Sequence, residues 1–217
     1  MIVLGLTGSV GMGKSTVAGM IRARGVPVND ADAVVHRLYA GAAVPLIEAA
    51  FPGTVVDGVV DRGTLGRLVF GDDAAMKRLE ALVHPLVARA EIDFLAAARA
   101  TGHRVVVLDI PLLFEIRAEG RVDAIATVSA PAAVQRDRVL RRPGMTAERL
   151  AAVLARQMPD DEKRRRSHFV VDTSGPLEAT RRQVAALLRT LAGMQGKRRR
   201  DALPGVAPAP TTAAPGR

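Results

Sequence analysis

Ile2-Val3-Leu4-Gly5-Leu6-Thr7-Gly8-Ser9-Val10-Gly11-Met12-Gly13-Lys14-Ser15-Thr16 is the stretch that decides the fold. Ile2 to Leu6 is a short apolar run without polar alternation, as expected of a strand covered on both faces. Gly8 to Ser15 then satisfies G-x-x-x-x-G-K-[ST], the phosphate-binding loop pattern. Glycines let the backbone curl so that successive N–H groups converge on phosphate oxygens. A helix starting at Lys14 would add the positive end of its dipole. Gly8, Gly11, Met12, Gly13, Lys14, Ser15 and Thr16 are therefore the expected ATP-binding residues. Lys14 is expected to neutralise the β- and γ-phosphates and Ser15 to hold Mg²⁺. The helix reads as Lys14 to Arg24, closed by Gly25.

Outward from this loop, strand-like and helix-like segments alternate. Val26–Asn29, Val105–Leu108, Ala124–Val128 and Phe169–Val171 are further strands. Asp73–Val83, Leu86–Ala100, Ala132–Arg141, Ala147–Gln157 and Leu177–Leu191 carry helical patterns. Continuous apolar strands separated by helices specify an α/β fold with a five-stranded parallel sheet flanked by helices. Two stretches break the alternation. About 75 residues of mostly helical pattern precede Val105, too many for one crossover, and read as a helical insertion over about 33–100. Residues 141–166 read as two short, arginine-crowded helices whose charge suggests a mobile lid. Residues 1–195 are expected to form one domain. Residues 196–217, rich in Pro and Ala behind Lys197-Arg198-Arg199-Arg200, read as a disordered basic tail.

Several side chains are candidates for chemistry. In Asp30-Ala31-Asp32, Asp30 suits the N-cap of a following helix. Asp32 would lie in its first turn at the carboxyl edge of the sheet, where ligands of open α/β folds bind. It can accept a proton from an attacking hydroxyl and orient it; spacing alone leaves that role open. Asp109 ends the Val105–Leu108 strand, the position that helps place Mg²⁺ in loop-type nucleotide enzymes. Glu115 follows in Leu112-Leu113-Phe114-Glu115, with a solvated turn as its plain alternative. Gln135, Arg138 and Arg142 share a helix face, and the two arginines suit transition-state charge. His84-Pro85 divides two helical patterns, a structural position on physical grounds. His36, His103 and His168 have no companion at metal-ligand spacing, so no zinc site is expected.

Composition narrows the class. The chain has 217 residues, 48% apolar and 24% charged, which excludes a wholly disordered or collagen-like protein. It has no cysteine, hence no disulfide, no thiolate metal site and no thiol nucleophile. No basic leader opens it and no apolar run reaches the ~20 residues of a membrane helix, so a cytoplasmic location is expected. The net charge is 31 − 22 = +9, and all but Lys14, Lys77, Lys163 and Lys197 of the basic residues are arginine. Arginine forks suit phosphate. Nucleic acid is disfavoured, because there is no Trp, one Tyr and five Phe to stack on bases. Asp172-Thr173-Ser174-Gly175 matches a GTPase motif only formally, since it follows the last strand and no N-K-x-D accompanies it. A monomer is the favoured expectation.

Taken in order, these segments resemble the dephospho-CoA kinases. The resemblance rests on Gly5 to Thr16, Asp30-Ala31-Asp32 with Arg37, Leu79-Glu80 before His84-Pro85, and Asp109-Ile110-Pro111-Leu112-Leu113-Phe114-Glu115. Gln135-x-x-Arg138-x-x-x-Arg142 and Gln157 continue it, over about residues 2–192. It implies a phosphate-loop kinase core, a helical acceptor-binding insertion and an arginine-bearing lid. It implies transfer of the ATP γ-phosphoryl group to the ribose 3′-hydroxyl of dephospho-CoA, the last step of coenzyme A synthesis. By position, Asp32 matches the family's proposed base, Lys14 and Ser15 its phosphate and Mg²⁺ contacts, with Asp109 beside them, and Arg138 and Arg142 the arginines near its lid. Asp32, His84, Pro85 and Leu113 fall at its acceptor. The chain departs from the family at Ser167-His168, where Ala-Asp is usual, and at Thr173, where Asn is common. The alternatives are another small-molecule kinase or a nucleic-acid-binding protein with a phosphate loop.

Overall fold

The computed structural model describes residues 1–196, so the expected tail lies outside the described residues. Among the described residues its contacts divide the chain into two compact units, 1–34 with 93–196, and Val35–Ile92. The first unit holds strands β1 (Ile2–Thr7) and β2 (Val28–Asp30) and helix α1 (Lys14–Arg22). The second is bounded by helix α2 (Ala31–Tyr39) and contains α3 (Val44–Ala50), β3 (Val55–Val56), β4 (Val59–Val60) and α4 (Arg62–Val69). Helix α5 (Asp73–Ala100) leads back to β5 (Val105–Asp109), β6 (Ala124–Ser129), α6 (Ala132–Leu140), α7 (Ala147–Leu154), α8 (Asp160–Arg166), β7 (Phe169–Asp172) and α9 (Leu177–Gly193).

The sheet runs β2-β5-β1-β6-β7, with every neighbouring pair parallel. This is the expected α/β fold. Alternation along β1 explains its two covered faces. Leu4 and Leu6 pack with Val17, Ala18 and Ile21 of α1 and with Val184, Leu187 and Leu191 of α9. Val3 points the other way, into a core of Ala98, Val106, Leu108, Leu113, Phe114 and Val122. Register then fixes the ligand edge. Leu6 pairs with Asp109, and Asp109 with Asp30, so β1, β5 and β2 bring their carboxyl ends together.

In the second unit Tyr39, Ile47, Phe51, Val60, Leu65, Val69, Leu79 and Val83 form a separate core. Its β3–β4 hairpin replaces part of the expected helical pattern. Val55-Val56-Asp57-Gly58-Val59-Val60 places an Asp-Gly pair between β-branched residues, and Asp57 and Gly58 both take positive φ, 51° and 75°. That is the preference of a two-residue hairpin turn. A second difference is α5, which runs through His84 and Pro85 as one helix where Asp73–Val83 and Leu86–Ala100 are expected as two. Proline deletes one intrahelical bond, but this helix has 28 residues and buries Leu79 and Val83 before the proline and Ala98 after it. Packing along the helix overrides the local penalty.

The expected lid is also more embedded than its charge implies. Leu150 of α7 is buried, and Lys163 of α8 is wholly buried against Glu115, Nζ to Oε1 2.8 Å. Burial pushes the Glu115 carboxyl up, but Lys163 and the Met158 N–H outweigh it and hold the group below its ordinary value. Glu115 is thus not the solvated turn residue of the plain alternative.

Leu113, expected at the acceptor, is a core residue with no exposed surface. It fills the space left by Gly5, where an added Cβ would lie 2.6 Å from Leu113 Cδ1 and 3.1 Å from Val122. Gly5→Ala is therefore expected to destabilise by about 1–3 kcal/mol. That corresponds to a Tm lowered by roughly 2–12 °C for a chain of this size. Combining it with Leu113→Ala should cost clearly less than the sum of the two single changes, as read by thermal unfolding. Additive losses would show that the two sites do not share this space.

Candidate active site

The loop between β1 and α1 folds as its glycines require. Gly11 and Gly13 take φ of +78° and +86°, a region other residues avoid. At Gly11 a Cβ would also lie 2.4 Å from Val139 of α6. Gly8 passes close to the Val128 carbonyl. Gly13 is the N-cap residue of α1, and Ser15 and Thr16 are exposed in its first turn. Gly8, Gly11 and Gly13 thus give the loop its curl ahead of α1. Met12 differs. Its side chain is buried, its Sδ accepts from the Ala130 N–H at 3.1 Å, and its own N–H is donated to Ser9 O. In this conformation Met12 braces the loop and its amide is engaged within it.

Lys14 reaches back across the loop to Asp109, Nζ to Oδ1 2.6 Å. Asp109 is 2% exposed. Burial pushes its carboxyl above the ordinary value, and Lys14 opposes that rise. Asp30, paired with Asp109 across the sheet, adds to it. Asp30 also caps α2, its Oδ1 accepting from the Ala33 N–H at 3.1 Å. Asp32 is left exposed in the first turn of α2. The two carboxylates therefore divide as the sequence indicates, one structural and one facing solvent at the ligand edge.

On the other side of the loop, Arg138 does not stand free. Its Nη1 donates to Thr173 Oγ1 at 3.0 Å and its Nη2 to Thr173 O at 2.6 Å, while Thr173 Oγ1 donates to Met12 O at 2.8 Å. Thr173 thus joins the loop after β7 to the phosphate loop and to α6. This residue appears in the sequence only as a departure from a family pattern. Its signal is the formal D-x-x-G that follows the last strand. Ser167 and His168 serve the sheet: Ser167 Oγ meets Thr127 Oγ1 at 2.6 Å, and His168 Nδ1 accepts from the Ile125 N–H. Arg142 is exposed just beyond α6. In the second unit His84 and Pro85 are both exposed on α5.

The Lys14–Asp109 pair yields a test. Asp109 has a raised pKa, so the stability linked to its proton is present below the ordinary carboxylate range and lost as pH rises through the raised value. Lys14→Met removes the charge that opposes this loss. Its stability deficit should be small near pH 4 and grow to about 3 kcal/mol at pH 7, the low end for a broken buried pair because Lys14 partly reaches solvent. Lys14→Met with Asp109→Asn should recover most of it. Thermal unfolding across pH 4–7 checks this, and a deficit independent of pH would contradict it.

Comparison with known proteins identifies the family. The dephospho-CoA kinase family matches residues 2–179. A dephospho-CoA kinase from Mesorhizobium japonicum is 62% identical over 197 residues, covering 90% of this chain and all of that protein. The crystal structure of a Thermus thermophilus protein superposes with a TM-score of 0.76 at 40% identity, over 88% of this chain and 97% of that one. A dephospho-CoA kinase from Campylobacter jejuni shares the fold, with a TM-score of 0.62 at 20% identity over 87% and 96% of the two chains. A family match over most of its length and a relative of 62% identity covered in full show that the chain belongs to the dephospho-CoA kinase family.

Proposed function

We propose that this chain transfers the γ-phosphoryl group of ATP to the ribose 3′-hydroxyl of dephospho-CoA, giving coenzyme A and ADP. The observation that carries the reading is the meeting of the phosphate loop, Lys14, Asp109 and the Asp30–Asp32 turn at the aligned ends of β1, β5 and β2. The 3′-oxygen forms a bond to the γ-phosphorus as the bond to the β–γ bridging oxygen breaks. Asp32 takes the hydroxyl proton, and Lys14 and the first turn of α1 stabilise charge on the phosphoryl oxygens. Arg142 adds positive charge from the lid. Arg138 contributes through Thr173 and the loop as well as by its own charge.

Among the described residues no group of three or more His, Cys, Asp or Glu side chains forms a metal site. Ser15 and Asp109 are hard oxygen donors of the kind Mg²⁺ takes when phosphates and water complete its shell. They would hold Mg²⁺, which would supply charge neutralisation on the nucleotide. His84 and Pro85 are assigned to the acceptor side, and Leu113 is withdrawn from it because it is core. No helix among the described residues is long and apolar enough to cross a membrane. The absence of cysteine suits a reducing compartment, and the cytoplasm is the proposed location.

Two measurements test this reading. Dephospho-CoA should stimulate ADP release strongly while AMP, adenosine and shikimate do so weakly, and the new phosphate should lie on the 3′-oxygen by phosphorus–proton NMR. A preference for AMP, or phosphate on another oxygen, would overturn the acceptor. Asp32→Asn should lower kcat roughly 10²–10⁴-fold with ATP binding kept. Asp30→Asn should stay within about threefold, because Asn also caps helices. The opposite ranking would reverse the roles of the two carboxylates.

A further inference from the structure

Val10 sits at the crown of the phosphate loop, and both of its backbone polar groups are taken by side-chain amides. Gln135 Nε2 of α6 donates to the Val10 carbonyl at 2.8 Å. The Val10 N–H donates to Gln157 Oε1 at 3.2 Å. Gln135 is 6% exposed, so its amide has few other orientations open to it. Gln157 lies beyond α7, and its place is fixed by its neighbour. The Met158 N–H donates to Glu115 Oε1 at 2.8 Å, and the same oxygen meets the wholly buried Lys163 at 2.8 Å. Glu115 is six residues beyond Asp109, the last residue of β5. A chain of contacts thus runs from Lys163 through Glu115 and Met158 to Gln157, and from there into the loop.

The consequence lies in the peptide planes on either side of Val10. In a trans peptide the C=O and the next N–H point in opposite directions. Holding the Val10 carbonyl on Gln135 turns the Gly11 N–H to the side away from Gln135. Holding the Val10 N–H on Gln157 turns the Ser9 carbonyl the other way, where it accepts from the Met12 N–H. Gly11, at φ +78°, lacks the steric restraint that would otherwise keep these planes in place. A phosphate-binding loop works by aiming N–H groups, so a loop with this freedom needs outside restraint on its orientation.

We propose that Gln157 is a positioning residue for phosphoryl transfer. With Gln135 it clamps the Val10 peptides, and the Glu115–Lys163 pair holds it in register with the loop. The proposal rests on the reading of this loop as the ATP site. Gln157 touches no reacting atom in this role. Its loss should misdirect the loop more than empty it, so kcat should fall while ATP still binds.

The test uses the full chain with ATP, Mg²⁺ and dephospho-CoA. Gln157→Met keeps length and shape but removes the acceptor. It is expected to lower kcat about 10–100-fold, to change KM for ATP less than threefold, and to leave Tm within a few degrees. Gln157→Glu restores an acceptor on the same stem and should recover several-fold of that kcat at saturating ATP. Amide hydrogen exchange at Val10, followed by NMR, should speed at least tenfold in Gln157→Met and return toward the parent in Gln157→Glu. A kcat within twofold of the parent, or equal losses in both variants, would overturn the proposal. Unchanged exchange at Val10 overturns it as well, whether or not the parent turns over dephospho-CoA. Failure of the parent to use that acceptor counts instead against the functional reading.

Discussion

The contact on which the site depends is the ion pair between Lys14 and Asp109, residues 95 apart in sequence and 2.6 Å apart in space. It exists because β1 and β5 are parallel neighbours in a register that sets Leu6 beside Asp109. The loop, from Gly8, therefore begins two residues past the point where the carboxylate ends its own strand. A buried carboxylate at a sheet edge is costly, and an ammonium against it offsets that cost locally. The same ammonium is what a triphosphate requires. Stability of this sheet edge and, under the proposed function, charge on the phosphoryl group are thus invested in one side chain.

A second set of constraints holds the loop from the opposite side. Arg138, Thr173 and Met12 form a continuous hydrogen-bonded path from α6 through the residue after β7 to the loop. A Cβ on Gly13 would come within 3.3 Å of Thr173, and one on Gly11 within 2.4 Å of Val139. The glycines therefore have a reason beyond phosphate. They let α6 and the loop after β7 approach the backbone closely. The loop is shaped by its neighbours before any nucleotide is considered, which is what electrostatic preorganisation requires.

The parallel sheet was legible because its strands are continuous apolar runs, and the loop because its spacing has a single geometric purpose. The division of Asp30 from Asp32 was legible because capping is local chemistry. The errors have equally definite causes. Pro85 reads as a boundary from one residue, yet the buried residues along the other turns of α5 hold the helix through it. Asp57-Gly58 was readable as a hairpin turn, but Val55-Val56 and Val59-Val60 are too short to declare strands amid helical patterns. Leu113 lies in a motif full of site residues, and only the space above Gly5 shows that it belongs to the core. Long-range facts of this kind carry no local signature.

Lysine usage was the signal that sequence reasoning passed over. In a chain where arginine supplies nearly all the positive charge, two of the four lysines lie against carboxylates of one seven-residue segment, Lys14 on Asp109 and Lys163 on Glu115. A guanidinium is a wide planar fork that serves exposed and bidentate contacts well. An ammonium is compact and can meet a carboxylate where neighbours leave little room, as at Lys163, which has no exposed surface. The two pairs fasten the ends of Asp109–Glu115 to different parts of the site, the first to the phosphate loop and the second to α8. Between them lies Leu113, packed under Gly5 of β1. The segment is thereby held at both ends by charge and in the middle by packing, so the loop, the strand edge and the base of the lid share one rigid reference.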